Sequence, residues 1–144
     1  MSLTIAIMGS GSWGTAFAQI VADSERKHNV RIWGRNSETI NEINSTHSNS
    51  KFHPGMVIPH QILATTDARI ALEGADVVIL AVPAQTLREN LKSWGEHVPK
   101  GAIVVSLLKG FERGTHARMS EVIREELGID EGQIAVAKIG RAHV

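Results

Sequence analysis

Six residues near the start of the chain, Gly9-Ser10-Gly11-Ser12-Trp13-Gly14, have the types and spacing to hold a phosphate group. The spacing is G-x-G-x-x-G, and each glycine has its own task. Gly9 permits a tight turn. Gly11 lacks a Cβ, so a pyrophosphate can approach the backbone closely. Gly14 lets a following helix pack tightly on a sheet. The free N–H groups and positive dipole end of that helix then meet the phosphates. The dipole contributes only about 0.3–2 kcal/mol per charged partner, so affinity has to come from many backbone hydrogen bonds acting together. The spacing alone would equally suit a tight turn with no ligand. Its context favours a dinucleotide. An apolar run, Leu3 to Met8, precedes the turn, and Thr15 to Val21 leads on as a helix.

Other chemistry-bearing residues fall at the ends of later apolar runs. In Trp33-Gly34-Arg35-Asn36, an arginine stands where an NAD-specific site usually has an acid, about 20 residues beyond the glycines. A carboxylate would repel a 2′-phosphate, whereas a guanidinium binds one in a bidentate fashion. Arg35, with Asn36 beside it, is therefore expected at the cofactor, with NADPH accepted and preferred. The competing reading of Arg35 is a solvated surface arginine. Ala81-Val82-Pro83-Ala84 leaves room for a ribose or nicotinamide at Pro83, though an ordinary strand stop would look the same. Lys109, in Leu107-Leu108-Lys109-Gly110-Phe111-Glu112, is placed to meet a substrate phosphate, an oxyanion or the cofactor, if it is not simply solvated. It does not belong to a nucleoside-triphosphate loop, because no Ser or Thr follows it. The seven histidines form no i, i+4 pair around an acid, so no metal site is expected; His53 and His60 read as surface residues. No Gly-x-Ser-x-Gly elbow supports a serine hydrolase.

These residues need a scaffold that brings distant loops to one edge. Apolar runs at Leu3–Met8, Val30–Trp33, Ile62–Ala64, Asp76–Val82, Ala102–Ser106 and Ile134–Ala137 read as strands. Between them lie helical patterns. Thr15–Asp23 carries Ala16, Phe17, Ile20 and Val21 on one face. A helix capped by Ser37 carries Ile40 and Ile43. A third, capped by Thr66 or Asp67, runs to Leu72. Gln85–Trp94 turns Leu87, Leu91 and Trp94 inward. His116–Leu127 carries Met119, Val122 and Ile123 and ends at Gly128. Ser24–Asn29 reads as a polar turn. A long polar loop spans 44–59, and loops of that length are often functional. Alternating strands and helices imply a doubly wound α/β fold with a mostly parallel six-stranded sheet, ordered 3-2-1-4-5-6. The loops after Met8, Trp33, Val82 and Ser106 should then share one crevice. Trp33 and Trp94 are expected in the core, and Trp13 either packs on neighbouring loops or shields the cofactor.

The totals agree with a single domain: 144 residues, 42% apolar and 21% charged. Fifteen basic and fifteen acidic side chains cancel, so charge implies neither a nucleic-acid nor a membrane-surface partner. With no cysteine, thiolate catalysis, zinc-thiolate sites and disulfides are excluded, which fits a cytoplasmic protein. The first apolar run is too short for a signal peptide or a membrane span.

Gly-Ser-Gly-Ser-Trp-Gly-Thr-Ala (9–16), Trp-Gly-Arg-Asn (33–36), Ala-Val-Pro-Ala (81–84) and Leu-Lys-Gly-Phe-Glu (108–112) together resemble the bacterial NAD(P)-dependent glycerol-3-phosphate dehydrogenases. The resemblance runs to about Ala137 and implies a Rossmann-type cofactor domain over residues 1–138. It implies contacts from Ser12 and Trp13 to the pyrophosphate and its surroundings, and from Arg35 to the ribose or 2′-phosphate. Lys109 would touch both NADP or NAD and the substrate. It further implies reduction of dihydroxyacetone phosphate to sn-glycerol 3-phosphate for phospholipid synthesis. A homodimer is one expectation for a full-length protein. Family members often carry a second basic residue where this chain has Asn36, which softens the NADPH preference. The family continues into a helical second domain that holds its proton-donating lysine. Here residues 139–144 read as a non-native tail, so the chain is expected to hold no catalytic proton donor, to bind dinucleotide weakly and to turn over little. The rival readings are the cofactor domain of another two-domain dehydrogenase and a non-catalytic nucleotide-sensing module.

Overall fold

The computed structural model describes residues 2–24, 28–52 and 54–137. His53, the middle of the polar turn before Asn29, and the expected tail at 139–144 lie outside the described residues. Six strands form one all-parallel sheet: β1 (Thr4–Met8), β2 (Asn29–Trp33), β3 (Leu63–Thr65), β4 (Val77–Leu80), β5 (Ile103–Ser106) and β6 (Ile134–Val136). Their spatial order is β3-β2-β1-β4-β5-β6, as the alternation of elements predicts. Because β1 lies at the centre, β2 leaves on one side of it and β4 on the other. The strand order reverses beside Met8, and the loops that follow β1, β2, β4 and β5 converge there.

Side chains alternate across the sheet, so each strand feeds two cores. Ile5, Ile7, Val30, Ile32 and Ile79 pack on one face with Ala18 and Ala22 of α1 (Ser12–Ala22) and Ile40 and Ile43 of α2 (Ser37–Thr46). On the other face, Ala6, Met8, Val78, Leu80 and Val104 meet α3 (Ala68–Leu72), α4 (Leu87–Trp94) and α5 (Met119–Leu127). Leu87, Leu91 and Trp94 of α4 are buried as their spacing predicts. Each such apolar side chain contributes about 1.5–3 kcal/mol on burial. Trp33 and Trp94 join this second core edge to face, with ring centroids 5.7 Å apart at 63°.

Several element bounds differ from expectation, each for a local reason. Helix α1 starts at Ser12 rather than Thr15, because the glycine turn itself winds into the first helical turn. Ile20 is 67% exposed and not in the core; Gly14, Thr15, Ala18 and Ala22 form the inward stripe instead. Ile20 lies about 200° round the helix from Ala18 and so faces away from the sheet. Helix α2 is capped by Asn36, one residue before Ser37: the Asn36 Oδ1 accepts from the Glu38 and Thr39 amides at 2.9 and 3.2 Å. Strand β4 ends at Leu80, two residues before Val82, and α5 begins at Met119, after His116. Gly128 ends α5 in the left-handed conformation, φ 64°.

Candidate functional site: a cleft at the carboxyl edge of the sheet

The glycine turn is built by close backbone approach. Gly9 has φ 136°, and a Cβ there would stand 2.6 Å from the carbonyl carbon and oxygen of Ala81, just beyond β4. The Gly9 amide donates to the Trp33 carbonyl at 2.8 Å, tying the turn to the end of β2. A Cβ on Gly14 would collide with the Gly9 carbonyl oxygen. Gly11 is different: nothing lies within 4 Å of where its Cβ would be. Two of the three positions are thus jammed by protein, and the third opens into free space.

That space is a cleft of about 600 Å³ along the carboxyl edge, within the usual range for ligand sites. Its walls come from all four expected loops: the turn after β1, Gly34 to Asn36 after β2, Ala81 to Ala84 after β4, and Leu107 to Lys109 after β5. Of the residues read from the sequence, Gly9, Gly11, Ser12, Trp13, Arg35, Asn36, Pro83 and Lys109 line it. Gly14 does not; it is buried under the turn and acts by packing. Trp13 is 56% exposed at the cleft.

Helix α1 enters this cleft with an uncapped N-terminus. Its N-cap is Gly11, which has no side chain to cap it, and no acidic residue stands in the first turn. The first intrahelical bond runs from the Thr15 amide to the Gly11 carbonyl, at 3.0 Å. The amides of Trp13 and Gly14 precede it, leaving a helix end suited to an anion.

The two ends of the cleft differ in their supports. On the β2 side, a Cβ on Gly34 would strike the Ser10 hydroxyl, so the loop carrying Arg35 lies directly on the glycine turn. Asn36 is committed through its oxygen to the cap of α2 while it lines the cleft. On the β5 side, Lys109 sits in a loop pinned before and after it. The Leu107 amide donates to the Leu80 carbonyl and the Leu108 amide to the Ser106 hydroxyl, both at 3.1 Å. Beyond Lys109, the Gln85 amide nitrogen donates to the Phe111 carbonyl at 3.1 Å, and the Gln85 oxygen accepts from the Arg113 amide at 3.0 Å. Arg88 holds both carboxylate oxygens of Glu112, at 2.8 and 2.9 Å, and also binds Glu125 and Glu126. Those bonds from Arg88, with a further one from Thr115, hold the Glu112 carboxyl at about 2, well below its ordinary 4.5.

The long loop after α2 supplies contacts that sequence reasoning missed. Asn49 is fully buried, and its side-chain nitrogen donates to the Ser10 carbonyl and the Thr15 hydroxyl, each at 3.0 Å. This bolts the loop to the glycine turn and brings Lys51 and Phe52 to the cleft. The available signal was an asparagine in a loop too long to be an idle connection. Among the described residues, no group of three or more His, Asp or Glu is placed to hold a metal ion.

Central β1, the reversal of strand order beside it and a glycine turn opening on the carboxyl edge define the Rossmann class of α/β domains. Residues 4–138 match the N-terminal domain of NAD-dependent glycerol-3-phosphate dehydrogenase, and the chain belongs to that family. It is 50% identical over 132 residues to a protein of Thermobifida fusca named glycerol-3-phosphate dehydrogenase NAD(P)+, covering 92% of this chain and 39% of that one. A similarly named protein of Mycobacterium bovis is 47% identical over 133 residues, 92% of this chain and again 39% of the relative. The crystal structure of glycerol-3-phosphate dehydrogenase from Coxiella burnetii superimposes with a TM-score of 0.80 at 27% identity, over 94% of this chain and 39% of that one. The chain therefore spans well under half the length of the relatives it matches.

Proposed function

We propose that this chain is the cofactor-binding half of an NAD(P)-dependent glycerol-3-phosphate dehydrogenase, acting between dihydroxyacetone phosphate and sn-glycerol 3-phosphate in the supply of phospholipid precursor. The observation that carries the reading is the uncapped start of α1 meeting the open Cβ position of Gly11 in the floor of the cleft. A pyrophosphate placed there would accept from the first-turn amides of α1. Arg35 would hold the adenosine ribose or its 2′-phosphate. At the far end, Pro83 and the small residues around it leave space for the nicotinamide ribose, and Lys109 would meet both cofactor and substrate phosphate. A homodimeric full-length protein and a cytoplasmic location belong to the same proposal.

Bound in this cleft, a reduced nicotinamide would supply the hydride for a ketone carbon, and the alkoxide so formed would need a proton. The part of this chain is to bind and orient. Among the described residues, the ionisable side chains lining the cleft are Arg35, Lys51 and Lys109, and of these only Lys109 lies on the β4–β5 side. Its pinned loop restricts where the ammonium can reach, which is how positioning contributes to such a transfer.

The test is a titration of the purified chain with NADPH, followed by calorimetry and by tryptophan fluorescence. Trp13 is exposed at the cleft and Trp33 lines it from the core, so the quench is expected to shrink in Trp13→Phe, with the part due to Trp33 left, while the heat of binding remains. No heat and no quench in the parent chain would remove the reading. Charge reversal at the β2 end should separate the cofactors. Arg35→Glu is expected to weaken NADPH about thirtyfold or more and NADH less than about threefold, because only NADPH places a phosphate there. Equal losses for both would cancel the 2′-phosphate assignment.

A further inference from the structure

The cleft carries a second cation, Lys51, from a loop sixteen positions beyond Arg35 in the chain. We propose that Lys51 is a specificity-determining residue: together with Arg35 it forms a two-cation seat for a phosphate on the adenosine 2′ position. The inference rests on the dinucleotide reading above and assigns to a distant loop a task that Asn36, being uncharged, cannot perform.

The argument starts from Ser10. Gly34 packs against its side chain with no room for a Cβ, and Asn49 donates to its carbonyl at 3.0 Å. Arg35 is one residue beyond the first contact and Lys51 two residues beyond the second. Two extended residues span only about 7 Å, and the lysine stem adds a similar reach. Both side chains line the same cleft.

The backbone leading to Lys51 is fixed. Asn49 is fully buried, and Glu42 accepts from the Ser48 hydroxyl and the Ser50 amide, both at 3.1 Å. The side chains of Lys51 and Arg35 are nonetheless exposed, and among the described residues no carboxylate lies within ion-pair distance of either. The Lys51 ammonium rests 5.4 Å from the Phe52 ring centroid. That is a weak cation–π contact, which a phosphate oxygen can replace with a charge-assisted bond. A phosphate monoester carries between one and a half and two negative charges near neutral pH, more than Arg35 alone neutralises.

The experiment uses the purified chain and calorimetry with NADPH, NADH, adenosine 2′,5′-bisphosphate and 5′-AMP. Lys51→Gln is expected to weaken NADPH and the bisphosphate about tenfold, and NADH and AMP less than about twofold. Lys51→Arg should keep NADPH within about threefold of the parent, because the charge is kept. Lys51 is exposed, so both variants should melt with the parent. An unchanged NADPH affinity in Lys51→Gln, or equal losses on NADPH and NADH, would overturn the seat while leaving the dinucleotide site standing. A parent chain that binds neither dinucleotide would instead bring down the dinucleotide reading itself, and this inference with it.

Discussion

Gly14→Ala is expected to abolish dinucleotide binding and to lower the unfolding free energy by about 3 kcal/mol or more. The added Cβ would collide with the carbonyl oxygen of Gly9 and stand 2.9 Å from its carbonyl carbon. Both are backbone atoms and cannot swing away like a side-chain tip. Gly9 cannot yield either, because its own backbone is wedged against Ala81 and its amide is bonded to the Trp33 carbonyl. Relief requires lifting α1 away from the sheet, and that opens the Ala18 and Ala22 packing below. Gly11→Ala is the counterpart. Nothing lies within 4 Å of its Cβ position, and its φ of −77° and ψ of −163° suit alanine. Stability should fall by less than about 1 kcal/mol, the scale of an N-cap exchange. NADPH affinity should nevertheless drop about tenfold or more, because the methyl group fills the space a pyrophosphate needs. Denaturant unfolding and calorimetry on both variants check the contrast. A Gly11→Ala chain that binds like the parent would show that no ligand approaches there.

Arg88→Ala is expected to lower the melting temperature by several degrees and to speed amide exchange at Phe111, Glu112 and Arg113. Arg88 joins α4 to the loop after β5 and to α5, with its side chain 24% exposed against 15% for Glu112 and 17% for Glu126. Removing the guanidinium leaves the carboxylates of Glu112, Glu125 and Glu126 gathered without their common cation. The effect has a pH signature. Glu112 titrates at about 2 in the fold against an ordinary 4.5. Its contribution is therefore complete above the ordinary value and is lost as pH falls through the folded one. The melting gap between parent and Arg88→Ala should be constant above about pH 5 and shrink steadily below it. A gap that persists unchanged to pH 2 would assign the loss to packing of the arginine stem rather than to its charge. Arg88→Lys should recover only part of the difference, since an ammonium cannot grip both oxygens of Glu112 as a fork.

Much of the architecture was legible because its signals are local. The turn at residues 9–14, the apolar runs of the strands and the buried spacing of Leu87, Leu91 and Trp94 are each written within a few consecutive residues. Ile20 misled because a helix pattern identifies an apolar stripe but not which side of the helix meets the sheet. The stripe of Gly14, Thr15, Ala18 and Ala22 faces it, and Ile20, about 200° round from Ala18, faces solvent. Ser37 read as the cap of α2 where Asn36 is the cap, since both residue types cap helices. Only the backbone entering α2 shows which oxygen reaches the amides. The grip of Arg88 on Glu112 and the bolt of Asn49 on Ser10 join residues 24 and 39 positions apart, separations at which no periodicity carries information.

By itself, the order of amino acids determined the class of fold, the order of its strands, the turn at the head of α1 and the loops that meet at one edge. These follow from alternation, handedness and the conformational range of glycine, all of which act between neighbours in the chain. Tertiary structure alone decided that Asn49 bolts its loop to Ser10, that Lys109 is held from both sides, and that Lys51 lines the same cleft as Arg35. Each of those depends on backbones from separate elements approaching within a few ångströms, and that approach is set by how the two cores close around the sheet.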